Sequence, residues 1–164
     1  MKKIGLLSDT HGHLHPRVTD FFADCDEIWH AGDIGTYSVT EKLKEFKPLR
    51  AVHGNIDDSR LRLEFPAHLY FQIEQLQVFI THIGGYPGKY SSGIKELLIR
   101  HKPALFICGH SHILKVMYDQ TFNLLYINPG AAGNSGMHQK ITFVRFQVDG
   151  HRISELEIFE ADRR

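Results

Sequence analysis

The sequence predicts an α/β fold with one largely parallel sheet and a second, more antiparallel one. Two observations carry this expectation. Through the first two thirds of the 164 residues, short apolar runs ending in small or polar residues alternate with helix-like stretches. Elsewhere, three longer stretches each read as two strands joined by a tight connection. Apolar runs of this length with glycine-rich ends favour buried strands over helices.

In chain order, "KIGLLSDTHG" supplies the first strand, and "HPRVTDFFADCD" a helix with Pro16 near its start and Val18, Phe21 and Phe22 as its apolar stripe. "EIWHAGDIG" is a strand, "TYSVTEKLKEF" a helix and "LRAVHGNID" a strand. "HLYFQIEQLQVFITH" reads as a strand pair, and "GKYSSGIKELLIRHK" as a helix. "ALFICGHSH" is a buried strand, followed by hairpins in "KVMYDQTFNLLYINPG" and, around Asp149-Gly150, in "KITFVRFQVDGHRISELEIF". The last residues, "EADRR", are expected to be a frayed, solvated end.

Composition narrows the function classes. A hydrophobic content of 42% is ample for a packed core. Nineteen basic residues balance nineteen acidic ones, so no long-range field draws the chain to nucleic acid or an anionic membrane. A polyanionic substrate must be held locally. The stretch "MKKIGLLSDTHG" is too short in apolar residues for a signal-peptide core, and no apolar run of transmembrane length follows, so a cytoplasmic location is expected. Cys25 and Cys108 lie far apart without CxxC spacing, which argues against a disulfide scaffold and a zinc ribbon; Cys108 reads as core filler. Twelve histidines are the compositional oddity.

Position decides what the histidines mean. Ligands of open α/β sheets gather beyond the carboxyl ends of the strands. There the sequence places Asp9 and His11, then Asp33, Asn55 and His82, then His110 and His112. Each alone has a plain structural reading: a capping carboxylate, a turn tolerant of positive φ, or a histidine at a loop entrance. Jointly those readings fail, because all five strand ends would have to place nitrogen or oxygen donors at one sheet edge by accident. Two metal ions about 3.5 to 4 Å apart activate a water and stabilise both the attacking and leaving oxygens of displacement at phosphorus. Two divalent cations set against two aspartates and one hydroxide leave about one positive charge, suited to a monoanionic phosphodiester. Imidazole donors suit manganese, iron, nickel and zinc. Gly32, Gly54 and Gly109 allow close backbone approach beside these residues.

The motifs "SDTHG", "AGDIG", "HGNID", "THIGG" and "CGHSH" resemble, in order and spacing, the signature of calcineurin-like metallophosphoesterases. Small size and "INPGA" make the chain most similar to the YfcE-like phosphodiesterase branch. The resemblance implies one metallophosphoesterase domain over residues 1–164, folded as a four-layer α/β/β/α sandwich with a dinuclear centre between the sheets. One metal would take Asp9, His11, Asp33 and His112; the other Asp33, Asn55, His82 and His110. Asp33 would bridge, and Asp33, Asn55 and His82 would serve the reaction directly. Ser111 would let His110 and His112 turn to opposite metals. Manganese is the first expectation for both ions, with iron, nickel, zinc or magnesium as alternatives, and the substrate would be a small phosphodiester attacked by a hydroxide held between them.

Many relatives carry a histidine after the ligand asparagine, where it donates a proton or binds phosphoryl oxygens. This chain has Ile56 there, and general acid help is worth roughly two to four powers of ten. Slower turnover, or dependence on a good leaving group, is expected. Asp57 is read as orienting a ligand or loop. His13 is read as a solvated loop residue, while His30 and His53 are expected to make hydrogen bonds away from the metals. Asn128 is read as either a turn residue beside Pro129 or a group ordering the site, and Trp29 as core. His15, His68, His101, His138 and His151 receive no role. Two other functions fit the fold: a non-catalytic interaction scaffold like the retromer subunit, and a nuclease, against which the absence of a basic stripe counts. Exposed sheet edges leave room for a homodimer or tetramer.

Overall fold

Alternation along the first strand sets the layering. In β1 (Lys2–Leu7), Ile4 and Leu6 point to one face and Gly5 and Leu7 to the other. Gly5 is a packing requirement, since a Cβ there would lie 2.7 Å from the Phe22 ring. The computed structural model describes residues 1–163. After β1 come α1 (Val18–Phe21), β2 (Glu27–His30), α2 (Tyr37–Phe46), β3 (Leu49–Ala51) and α3 (Ser59–Glu64). Next are β4 (His68–Ile73), β5 (Leu76–Thr81), the small pair β6 (Gly85–Tyr86) and β7 (Lys89–Tyr90), α4 (Ile94–His101) and β8 (Leu105–Ile107). The chain continues through β9 (Leu114–Asp119), β10 (Leu124–Pro129), β11 (Lys140–Asp149) and β12 (Arg152–Asp162).

Two five-stranded sheets form, ordered β12-β11-β1-β2-β3 and β4-β5-β8-β10-β9. Ile4, Leu6, Trp29, Val144 and Phe146 of the first pack between the sheets with Val78, Ile80, Leu105, Ile107 and Ile127 of the second. On the outer face of the first sheet, Phe22, Val39, Leu43 and Leu61 from the α1 to α3 side cover Leu7, Ile28 and Phe143. Outside the second, Ile94 and Leu98 of α4 cover Phe79, Phe106 and Tyr126. The result is the expected four layers, α/β/β/α. Each fully buried aliphatic or aromatic side chain contributes about 1.5–3 kcal/mol through surface removed from water.

Five details differ from the sequence expectation. Parallel pairing is not confined to one sheet: β1-β2 and β2-β3 are parallel in the first, β5-β8 and β8-β10 in the second. The pairings of β11 with β1 and with β12 are antiparallel and add to the first sheet, a long-range choice that local pattern does not encode. The helix predicted from Gly88 onward starts at Ile94, behind Gly93 at φ 84°, because Lys89 and Tyr90 pair with Gly85 and Tyr86. Helix α3 was not expected: Leu63 is 89% exposed and Leu61 alone is buried, so no apolar stripe marks it, and the Asp58 side chain capping Leu61 N at 3.0 Å is its one clear signal. The "EADRR" segment is not frayed through Asp162, since Ala161 and Asp162 pair with Ile141 and Lys140; Arg164 lies outside the described residues.

Candidate metal centre

The loops leaving the carboxyl ends of β1, β2, β3, β5 and β8 converge at one edge of the sandwich, and backbone hydrogen bonds stitch them together. Asp9 N–H donates to the Gly32 carbonyl, His11 N–H to that of Asp33, and Gly109 N–H to that of His82, each at 3.0 Å. Of the nine non-glycine residues with positive φ among those described, five are predicted ligands: Asp9, His11, Asp33, His110 and His112, at φ 47–70°. Left-handed backbone costs an L-residue roughly 1 kcal/mol or more, and such strain persists where the surroundings over-determine it. Gly54 and Gly109 make the crowding tolerable: a Cβ on Gly54 would overlap Asp33, and one on Gly109 would overlap Ser8.

Two interleaved donor groups result. Asp9, His11 and His112 form one, Asp33, His82 and His110 the other, with the donor atoms of each group within 4.8 Å of one another. His112 Nε2 lies 3.2 Å from Asp9 Oδ1, and His82 Nε2 lies 3.2 Å from Asp33 Oδ2. The groups touch through Asp33, whose Oδ2 is also 3.5 Å from His11 Nε2. That placement suits a carboxylate shared by two cations. Of the "GHSH" pair, His110 lies in one group and His112 in the other. Asn55 is exposed on the loop after β3 and shares a cleft of about 290 Å³ with His82, His53, Arg62 and His68.

Charge and burial suit a cationic partner. Asp9 Oδ1, His11 Nε2 and His82 Nε2 are buried without a hydrogen bond. An unmatched buried polar atom costs about 1–3 kcal/mol, so three lone-pair donors facing one space fit metal ions well. Burial alone would raise the Asp9 carboxyl, but the His11 and His112 imidazoles, the His82 charge and the Ser8 hydroxyl hold it well below the ordinary range. Asp33 is likewise lowered, its burial outweighed by His82. Asp9 raises His11, and Asp33 and Asp9 raise His82 against its burial. Both carboxylates therefore stay ionised at neutral pH, as cation ligands must.

Residues around the donors hold them in place. The buried Asp57 carboxylate accepts N–H bonds from Ile34 (3.2 Å), Gly35 (2.9 Å) and Gly54 (2.8 Å), tying the Asp33 loop to the Asn55 loop. Ile56 is 47% exposed, yet its N–H donates to Asp33 Oδ1 at 3.1 Å. His82 Nδ1 donates to the Ala31 carbonyl at 2.8 Å, which leaves its Nε2 lone pair for the centre. Asn128 fills both roles considered for it: Nδ2 donates to Gly109 O and Ser111 Oγ, and Oδ1 accepts from Gly130 N, all at 3.0 Å.

Of the residues set aside, His30 is buried and bonds to Thr10 Oγ1 and Gly32 N, while His53 Nδ1 meets the Phe65 carbonyl. Both lie outside the donor groups, as strand alternation predicts. His13 is half-buried in the loop and not in either group. Three contributors escaped the sequence. Ser8 Oγ donates to Asp9 Oδ2 at 2.6 Å, and Arg62 bonds to the carbonyls of Gly54, Asn55 and Asp57. His138 Nδ1 sits 3.2 Å from His112 Nδ1. Ser8 adjoins a motif and could have been found; nothing local marks Arg62 or His138.

The chain is similar to known proteins in sequence and in fold. The calcineurin-like phosphoesterase superfamily domain matches residues 1–151. A protein of Methanothermobacter thermautotrophicus named "Probable metallophosphoesterase" is 29% identical over 155 residues, covering 92% of this chain and 88% of its own length. A phosphodiesterase of Methanocaldococcus jannaschii is 29% identical over 147 residues, covering 78% of this chain and 82% of its own. The crystal structure of Chaetomium thermophilum Vps29 superposes with a TM-score of 0.77 at 12% identity over 99% of both chains, a likeness of fold. Among the described residues, no helix is long and apolar enough to cross a membrane.

Proposed function

Because the chain belongs to the calcineurin-like phosphoesterase superfamily and is a metal-dependent phosphoesterase, we propose that it hydrolyses small phosphodiesters at a two-metal centre. The observation that carries this reading is the pair of interleaved donor groups whose buried atoms Asp9 Oδ1, His11 Nε2 and His82 Nε2 lack partners. Asp9, His11, Asp33 and His112 would hold one ion, and Asp33, Asn55, His82 and His110 the other. Two divalent cations held there would supply charge for the phosphoryl oxygens and acidity for the attacking water. Manganese suits the mixed imidazole and carboxylate donors, with iron, nickel, zinc and magnesium as alternatives.

The protein's own groups decide the rest. Asp33 is held by the Ile56 N–H so that its Oδ2 faces both groups, and the ionised carboxylates reduce the net charge to suit one phosphodiester anion. Ile56 offers no proton to the leaving oxygen, so a diester with an acidic leaving alcohol is the better substrate. The cleft beside His82 and Asn55 gives that group room. The whole of residues 1–164 acts as one domain in this reading, and the unpaired thiols of Cys25 and Cys108 suit a cytoplasmic location. Formation of a homodimer or tetramer is compatible with it. The scaffold alternative draws on the Vps29 likeness, a likeness of fold at 12% identity, whereas the relatives matched in sequence are named as phosphoesterases and favour the hydrolase.

The test is direct. Manganese-loaded protein should hydrolyse an activated aryl phosphodiester faster than the matching monoester, and Asp33→Ala should lose the activity. Equal rates in wild type and Asp33→Ala would refute the proposal.

A further inference from the structure

We propose that His138 is a positioning residue that fixes the tautomer and orientation of His112, and thereby prepares the half of the centre formed by Asp9, His11 and His112. The proposal rests on the two-metal reading for its consequence, though not for its geometry. His138 lies 26 residues beyond His112, on the loop between β10 and β11, outside every metal motif.

A closed circuit of polar contacts, three of them hydrogen bonds, carries the argument. Gly133 N–H donates to the Asp9 carbonyl at 3.1 Å, and the Gly133 carbonyl accepts from His138 Nε2 at 2.8 Å. His138 Nδ1 meets His112 Nδ1 at 3.2 Å, and His112 Nε2 returns to Asp9 Oδ1 at 3.2 Å. The rings stand 5.1 Å apart at 79°, edge to face, so the Nδ1 atoms meet without stacking. Gly136, at φ 128°, lies against the same ring; a Cβ there would come within 2.6 Å of His112 Nδ1. The loop is thus shaped to bring His138 onto His112.

Proton counting then assigns the tautomer. A carbonyl oxygen only accepts, so neutral His138 carries its proton on Nε2, facing Gly133. Its Nδ1 is then a lone pair. One proton fits between two Nδ1 atoms, and it must belong to His112. His112 Nε2 is left as a lone pair aimed at the space beside Asp9, the form a metal requires. A carbonyl does the same for His82, whereas here the acceptor is a second imidazole. His138 thus competes for the proton with the Asp9 carboxylate, 3.2 Å from His112 Nε2; without the His138 acceptor that carboxylate draws the proton to Nε2 in metal-free protein. Losing such a partner typically weakens metal affinity about 10- to 100-fold, and here the loss should fall on one ion only.

The test uses the full chain as wild type, His138→Phe and His138→Asn. Phenylalanine keeps the ring and removes the acceptor, while asparagine keeps an acceptor oxygen near Nδ1. Long-range nitrogen–proton NMR on metal-free protein reads the tautomer of His112 directly. Wild type and His138→Asn should show the Nδ1–H form, and His138→Phe a mixture or the Nε2–H form. Titration with manganese, followed by EPR, should give a spin-coupled pair in wild type and His138→Asn. His138→Phe should bind one ion normally and the second about 10- to 100-fold more weakly. A wild-type His112 in the Nε2–H form would overturn the proposal whatever the variants do, as would equal behaviour of His138→Phe and His138→Asn. If wild type binds fewer than two manganese ions, the two-metal reading fails, and the tautomer measurement still decides the role of His138.

Discussion

Replacing Asp57 with alanine should destabilise the protein and weaken metal binding together. The buried Asp57 carboxylate accepts three backbone N–H bonds, from Ile34, Gly35 and Gly54, and Asp57→Ala strands all three donors in an enclosed loop. An unsatisfied buried donor costs about 1–3 kcal/mol, and water reaching the vacated space would recover part of that, so a loss of about 3 kcal/mol is expected. With an unfolding entropy of about 2.1 cal/mol/K per residue, 164 residues convert this loss into a fall in Tm of about 9 °C. Released from Asp57, the segments carrying Asp33 and Asn55 would no longer be tied to each other, so manganese affinity should fall about tenfold or more. Asp57→Asn, which keeps one acceptor oxygen but turns an N–H₂ toward the other donors, should lie between. Calorimetry with and without manganese measures both effects. A fall in Tm under about 3 °C, with unchanged manganese affinity, would refute the idea that this carboxylate holds the two loops.

Further outcomes follow from particular residues. Burial pushes His30 down to about 4, so between pH 6.5 and 4 the unfolded chain binds a proton there that the folded chain does not. Stability from this group is complete above about pH 6.5 and lost as pH falls, by about 3 kcal/mol near pH 4, and His30→Asn should remove that part of the slope in denaturant titrations at each pH. Ile56→His restores a proton donor at an exposed position, and should speed cleavage of a diester with a poor leaving group by roughly tenfold or more while leaving an activated aryl diester nearly unchanged. Gly54→Ala would drive a methyl group into Asp33, so it should abolish tight manganese binding in a titration even if the chain folds. Stripping metal with a chelator should lower Tm and restore it on adding manganese, because ions that bind only the folded state stabilise it by mass action.

The donor residues were legible because strand ends are locally marked. An apolar run followed by a polar, glycine-bearing turn announces itself in "KIGLLSDTHG" or "ALFICGHSH", and five such ends carrying metal-type donors outweigh the plain reading of each. The four-layer arrangement came instead through resemblance, since periodicity says that Ile4 and Leu7 face opposite ways but not what covers each. Helix α3 was missed because it buries one leucine, and a stripe needs several.

By itself, then, the amino-acid order determined which side chains sit at the carboxyl ends of the strands, because residue type and short-range pattern are local properties. Only the tertiary structure decided that the pairing of β11 with β1 completes the first sheet and that Asp33 touches both donor groups. It alone carried the left-handed backbone at five donors and the contact of His138 with His112 across 26 residues. Those features depend on chain segments brought together by packing, and the energy that holds them comes from contacts no local window contains.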